Sequence, residues 1–182
     1  SKQELTSIFE LEQKLIPLLM DMRIKGVCVD VDKAEQTKIK LGKMKKVLVD
    51  DIKRDTGMLI SPWVATSVAL IFDHYNVPYG RTESNNQPSF TKSFLQTCSH
   101  PIAQKILRLR EVDKASSTFI DSILRHENKG RIHCEFHPLR SDDGGTVTGR
   151  FSSSNPNLQQ IPARDPEIKS MIRGLFIPEE GH

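Results

Sequence analysis

Between residues 5 and 20 the apolar positions fall at helical spacing: Leu5, Ile8, Phe9, Leu11, Leu15, Ile16, Leu19 and Met20. Residues three and four apart share one side of a helix, so this pattern predicts an amphipathic helix. Gly26 ends the turn that follows, and Val27-Cys28-Val29 reads as a short strand. Asp30 or Asp32 can cap a second, long helix. Its apolar side is Leu41, Met44, Leu48 and Ile52, lysines surround the rest, and Gly57 closes it. Ser61-Pro62 opens a shorter helix with Val64, Val68, Ile71 and Phe72 on its apolar side. From Pro78 to Ser89 glycine, proline, asparagine, serine and threonine dominate, which predicts a polar loop or small extended tip.

A long helix starts near Pro101, with Ile102, Ile106, Leu109, Val112, Ser116, Phe119 and Ile123 advancing by three or four. Asn128-Lys129-Gly130 ends it, and the period then changes to two. Ile132, Cys134, Phe136 and Pro138 alternate with His133, Glu135 and His137, as in a strand. Ser141-Asp142-Asp143-Gly144-Gly145 reads as a turn and Thr146-Val147-Thr148 as a returning strand. Further on, Ser154 or Asn155 can cap a short helical turn with Pro156 at its first position, and Pro162 stops it. Residues Glu167 to Arg173 predict another short helix, and Leu175-Phe176-Ile177 a strand. There is no internal repeat and no low-complexity tract.

Composition changes this picture little. With 26 basic and 23 acidic residues the net charge is +3, too small to name a nucleic-acid partner by itself. The distribution says more. Lys38, Lys40, Lys43, Lys45 and Lys46 crowd together, followed by Lys53 and Arg54; Lys105, Arg108, Arg110 and Lys114 form a second cluster. Such clusters either track a phosphate backbone or form a solvated helix face. Cys28, Cys98 and Cys134 are odd in number and widely spaced, which predicts reduced thiols in an intracellular compartment. No apolar run approaches a membrane span, and no signal-peptide pattern opens the chain. The chain starts directly in a helical pattern and stops at Glu180-Gly181-His182, so it reads as a piece of a longer protein.

Two candidate metal sets fall away on chemistry. Asp142-Asp143 are neighbours in a glycine-rich turn, for which turn formation is the simpler role. Alternation along a strand sends Cys134 to the face opposite His133 and His137, and no fourth zinc ligand is evident.

The densest clue is Thr148-Gly149-Arg150-Phe151-Ser152-Ser153-Ser154-Asn155-Pro156-Asn157-Leu158-Gln159-Gln160-Ile161-Pro162. Gly149 permits a close approach or an unusual backbone angle. Arg150 offers a planar fork of donors, and the amides both donate and accept. Polar groups on a preorganised turn suit phosphate, sugar and base edges; equally, a capped turn can satisfy its own backbone with such residues.

This string resembles the signature that precedes the first catalytic palm strand in family-A DNA polymerases, the relatives of DNA polymerase I. Leu11-Glu12 through Gly26-Val27 resembles the helix and turn leading into the thumb. Leu107-Arg108-Leu109-Arg110-Glu111 through Lys114, with Ser117-Thr118-Phe119-Ile120-Asp121, resembles the long thumb helix. Arg131-Ile132-His133-Cys134-Glu135-Phe136 resembles the next palm strand. Pro88-Ser89-Phe90-Thr91-Lys92 and the run from His137 to Gly145 look closer to phage-type members.

The resemblance implies a mainly helical α+β fold: a thumb with a long antiparallel helix pair, and a small, incomplete antiparallel palm sheet. Residues 1–30 would form the helix and strand at the thumb–palm base. Residues 31–130 would form the thumb, with a polar tip near 78–89, and 131–182 the first palm segment. It implies a primer–template duplex as partner, met by Thr82, Ser84 and Ser89 in the tip and by Lys114 on the long helix. Arg150 would read the minor groove near the primer end, where acceptors are nearly alike for every correct pair. Ser152, Asn157, Gln159 and Gln160 would lie near the template strand. Ser84 stands where a lysine is common, and Gln160 where bacterial members carry asparagine.

The intact enzyme would be a nucleotidyltransferase that adds dNTPs to a primer 3′ end with two divalent ions, Mg2+, in replication or repair. The first metal-binding aspartate of the family lies shortly after the position of His182, and the dNTP-binding helix further on. The expectation is therefore a duplex-binding segment without a cofactor or catalytic residue of its own, inactive alone. An exposed palm edge would invite non-physiological self-association. The resemblance places the protein in the cytoplasm or nucleoid of a bacterial or phage-infected cell. The other readings are a stand-alone, non-catalytic helical nucleic-acid-binding module, and a protein adaptor that leaves residues 148–162 unexplained.

Overall fold

The computed structural model describes residues 2–138, 150–163, 165–179 and 181, without the side chains of residues 2–5. The turn at 141–145 with Asp142 and Asp143, the returning strand at 146–148, and Gly149 lie outside the described residues. The chain divides into two compact units, residues 1–37 with 119–182, and residues 38–118.

In the first unit, α1 (Lys2–Lys25) runs into β1 (Val27–Cys28) through Gly26. Gly26 has φ +65°, and a Cβ there would sit 2.7 Å from the carbonyl oxygen of Ile132, so only glycine fits. α1 differs from expectation in one respect. Of its apolar set Leu19 is buried and Leu15 half-buried, while Ile8, Phe9, Leu11, Ile16 and Met20 are exposed. Asp30, not Asp32, caps α2 (Val31–Thr56): its Oδ1 accepts the Lys33 amide at 2.9 Å.

The predicted strand over 132–138 is two shorter ones. β4 (Glu127–Asn128) and β5 (Arg131–Ile132) join β1 in an antiparallel sheet of order β1-β5-β4. β6 (Glu135–His137) leaves that sheet and pairs with β7 (Ser152–Ser154) in the register Glu135–Ser154, Phe136–Ser153, His137–Ser152. The break falls at His133-Cys134, where Cys134 turns inward and is buried. The 175–177 strand is reduced to a single bridge, Val29 to Phe176. α7 (Pro166–Arg173) is capped by Asp165, whose Oδ1 accepts the Ile168 amide at 2.7 Å. It buries Ile168 and Ile172.

The second unit holds the rest of α2, then α3 (Ala65–His74), β2 (Gly80–Arg81), β3 (Pro88–Ser89), α4 (Lys92–Thr97) and α5 (Pro101–Lys114). Two ion pairs fix α2 and α5 as antiparallel. Lys45 meets Asp113 at 2.5 Å, and ten residues further along α2 Asp55 meets Lys105, eight residues back along α5. Between them Leu48 and Ile52 pack with Ile106 and Leu109 in a core that also takes Val68, Ile71, Phe72, Phe90, Leu95 and Ile102. Val64 is exposed; it occupies the N-cap of α3, one residue outside the helical period. α4 was not foreseen. It is a six-residue helix that Thr91 caps by accepting the Phe94 amide at 3.2 Å.

The run after Pro101 stays helical to His126 but changes type: α5 gives way to a π-helical turn at Ala115–Ile120, then α6 (Asp121–His126). Gly57, at φ +72°, closes α2 with its amide on the Lys53 carbonyl at 2.7 Å.

Candidate nucleic-acid interface

Residues 150–160 form a polar segment at the surface of the first unit. β6 positions it. Ladder pairing brings Ser152, Ser153 and Ser154 beside His137, Phe136 and Glu135. Glu135 then gathers donors: Arg23 at 3.0 Å, Asn155 Nδ2 at 3.1 Å and Ser154 Oγ at 3.3 Å. His137 Nε2 lies 2.7 Å from Ser154 Oγ. The chain turns at Asn155, which has φ +53° and precedes a cis bond to Pro156.

The cap of the next turn is Asn157, not Ser154 or Asn155. Ser154 is held in the ladder and Asn155 is left-handed, so neither has cap geometry. Asn157 Oδ1 accepts the Gln159 amide at 3.1 Å and the hydroxyl of buried Ser153 at 3.3 Å, starting the 3-10 turn Leu158–Gln160. Gln159 Nε2 donates to the Phe151 carbonyl at 2.9 Å, tying the turn back across the segment. Arg150, Asn157, Gln159 and Gln160 are exposed and Ser152 is half-buried. One short stretch therefore carries a guanidinium, amides and hydroxyls on a backbone fixed by its own hydrogen bonds, which is a surface able to meet sugar and base edges.

The other predicted contacts lie in the second unit. Thr82, Ser84 and Ser89 sit on the β2–β3 hairpin, where Gly80 pairs with Ser89. The Thr82 hydroxyl bonds Asn85 and accepts the Gln87 amide at 3.0 Å, so it holds the turn. Ser84 is exposed at the tip and Ser89 half-buried in β3. Lys114 is exposed at the last position of α5, against the π-helical turn. Such turns occur disproportionately at functional sites.

Two members of the second basic cluster, Arg110 and Lys105, are engaged within the unit. Arg110 donates through Nε to the Pro62 carbonyl and through Nη1 to the Phe90 carbonyl, both at 2.6 Å, and lies over the Trp63 ring at 5.4 Å. Burial pulls its pKa down from the ordinary arginine value. Lys105 is engaged by Asp55. Asp113 accepts from both Lys45 and Trp63 Nε1, each at 2.5 Å. Burial pushes its carboxyl up, yet these two donors outweigh burial and hold it below the usual range.

Glu135, His137, Asp113 and Trp63 are the organising residues that sequence reasoning missed. Alternation already placed Glu135 and His137 on one strand face. Their partners lie some twenty residues on, across a pairing that no local pattern reports.

Among the described residues, no group of three or more histidine, cysteine, aspartate or glutamate side chains could hold a metal ion. His133 Nδ1 lies 2.8 Å from the Arg23 carbonyl, and burial pushes the Cys134 thiol up. The described residues offer no ligand set for the divalent ions of nucleotidyl transfer. No helix among the described residues is long and apolar enough to cross a membrane.

Comparison with known proteins places the chain in a family. A DNA-directed DNA polymerase of Pseudomonas phage M6 is 34% identical over 190 residues, covering 99% of this chain and 28% of that protein. The thermostable DNA polymerase I of Thermus filiformis is 35% identical over 181 residues, covering 94% of this chain and 21% of that protein. The POL domain of Pol1 from M. smegmatis, solved in complex with DNA primer-template and dNTP, superposes with a TM-score of 0.76 at 27% identity. That alignment covers 90% of this chain and 28% of the other. The chain thus spans under a third of the length of these relatives. The family model described as DNA polymerase family A matches residues 32–182, most of the sequence, and the chain belongs to that family.

Proposed function

We propose that this chain is the primer–template-binding segment of a DNA-directed DNA polymerase, and that Arg150 and its neighbours are its principal DNA contacts. The observation that carries the reading is the 150–160 segment, polar on its surface and braced from beneath by Glu135, His137 and Ser153. In this reading residues 31–130 act as the thumb and 131–182 as the first part of the palm. Arg150 donates to minor-groove acceptors near the primer end. These acceptors are nearly the same for all correct pairs, so the contact senses pair geometry and not sequence. Ser152, Asn157, Gln159 and Gln160 lie along the template strand. Lys114 meets a phosphate as a point charge, and Thr82, Ser84 and Ser89 approach the duplex from the tip.

The intact enzyme adds dNTPs to a primer 3′ end. The Mg2+ ions of that chemistry have no ligand set among the described residues, so no step of it is assigned to this segment. The phage and Thermus relatives support a site of action in the cytoplasm or nucleoid of a bacterial or phage-infected cell.

Titrating the 182-residue chain with a labelled primer–template duplex tests the reading. Affinity should fall steeply and linearly in log-log form as salt rises, and no nucleotide should be incorporated. Weak, salt-insensitive binding would reject it.

A further inference from the structure

Trp63 is the only tryptophan of the chain, and its setting differs from that of the phenylalanines and tyrosines of the second unit. Phe72 and Phe90 lie in the core, and Tyr75, Tyr79 and Phe94 pack against it. Trp63 instead stands in the turn between α2 and α3 with 54% of its surface exposed.

The ring is exposed and yet held. Its Nε1 donates to Asp113 at 2.5 Å, and the Arg110 guanidinium lies over one face at 5.4 Å. The backbone around it is tied as well. The Pro62 carbonyl accepts Arg110 Nε at 2.6 Å, the Val64 amide meets the Ser61 carbonyl at 3.2 Å, and the Ser61 amide donates to Ser67 Oγ at 3.0 Å. With one face under Arg110 and the nitrogen edge on Asp113, the opposite face and the outer edge are what remain for solvent. A fixed aromatic plane loses little freedom when a second plane stacks on it, so this one is preorganised for a flat ligand.

We propose that the open face of Trp63 is a stacking site for an unpaired nucleobase. The inference rests on the polymerase reading above and adds to it a contact with bases outside the duplex. Base faces are hidden within a duplex, so the ligand is a base of a single-stranded template or of a frayed primer end. Stacking on an aromatic ring accepts any base, because every base has a π-face. The charges around the ring suit it. Lys45 and Arg110 stand against one carboxylate, Asp113, which leaves a positive excess for the phosphate beside the stacked base. A cationic ligand fits poorly, since Arg110 already occupies one face and no second exposed phenylalanine, tyrosine or tryptophan stands in this unit to complete a cage.

Because Trp63 is the only tryptophan, the intrinsic emission of the 182-residue chain reports on this ring alone. The chain is titrated with a thymidine oligonucleotide, a blunt duplex, a duplex with a template overhang and a duplex with a mismatched, frayed primer end. Saturable quenching is expected with the oligonucleotide and with at least one of the last two, which tells the template from the primer as the source. The blunt duplex should leave the emission nearly unchanged. Trp63→Leu should weaken oligonucleotide binding about five- to a hundred-fold, the usual range for one lost stack, and Trp63→Phe should restore much of it. Leucine binding as well as phenylalanine would show an apolar contact and no stack, and would overturn the proposal. So would equal quenching by the blunt duplex, or none by any unpaired strand. A proline-rich peptide is the other ligand that packs flat on such a ring. If it perturbs the emission and the oligonucleotide does not, the ring serves a protein and the proposal fails. Salt-dependent binding of a labelled blunt duplex, read by anisotropy, keeps the two readings apart: if it persists without quenching by unpaired strands, the stacking site alone falls, and if it is absent the polymerase reading falls with it.

Discussion

The Phe72 core and the 150–160 segment are both well fixed, and by opposite means. Phe72 is fully buried, with Phe90, Phe94 and Tyr79 rings at 4.8, 5.8 and 6.2 Å. Its shape comes from apolar packing, which is non-directional and leaves no polar group for a partner. Segment 150–160 buries little beyond Ser153 and Pro156, and is held by hydrogen bonds in which Glu135 accepts from Asn155 and Asn157 from Ser153, with His137 bonded to Ser154. Directional bonds at its base fix the backbone while its outer surface remains polar and accessible. The first region is a scaffold, and the second presents polar groups to solvent.

That contrast can be broken at its strongest point first. Phe72→Ala should cost about 3–5 kcal/mol in denaturant unfolding, the usual range for emptying a core aromatic site. A cost under about 1 kcal/mol would mean the aromatic cluster does not organise the unit.

Asp113→Asn should cost about 1.5–3 kcal/mol near neutral pH, because a charged hydrogen bond to Lys45 is lost. The sign with pH follows from its lowered pKa. A carboxylate depressed by folding stabilises above its unfolded pKa, about 3.9, and that stabilisation is lost as pH falls through the folded value. The gap between wild type and variant should therefore close in acid. A gap that stays constant down to pH 2 would contradict the role of the charge.

Glu135→Gln sharpens the comparison on the other side. Its pair with Arg23 is partly exposed, so global stability should fall by less than about 1 kcal/mol. Locally the effect should be larger: the backbone amides of residues 152–155 and 157 should exchange faster with solvent. Unchanged exchange there would show that the ladder alone fixes the segment.

Much of this architecture was legible in the sequence because its signals are local. Period gave α2, α5 and α7, with a capping aspartate readable for α2 alone, and the turn-rich stretch at 78–89 marked the polar tip in which the β2–β3 hairpin lies. The misses share a cause. α4 has only Phe94 and Leu95 to announce it, too few for a period. The α1 pattern predicted the helix, but periodicity says nothing of what covers a face, and most of that face is exposed. Arg110 read as one of a basic cluster, yet carbonyls of Pro62 and Phe90 claim it. The polar string at 150–160 was visible as a candidate. Its brace was not, since Glu135 and His137 reach it only through β6–β7 pairing.

Arg150 decides the central claim. Primer extension by the full-length polymerase should be measured for wild type and Arg150→Ala, from matched and from mismatched primer ends. The account predicts slower extension from matched ends and a smaller matched-to-mismatched ratio, because the groove contact that senses pair geometry is gone. Unchanged rates and an unchanged ratio would contradict it.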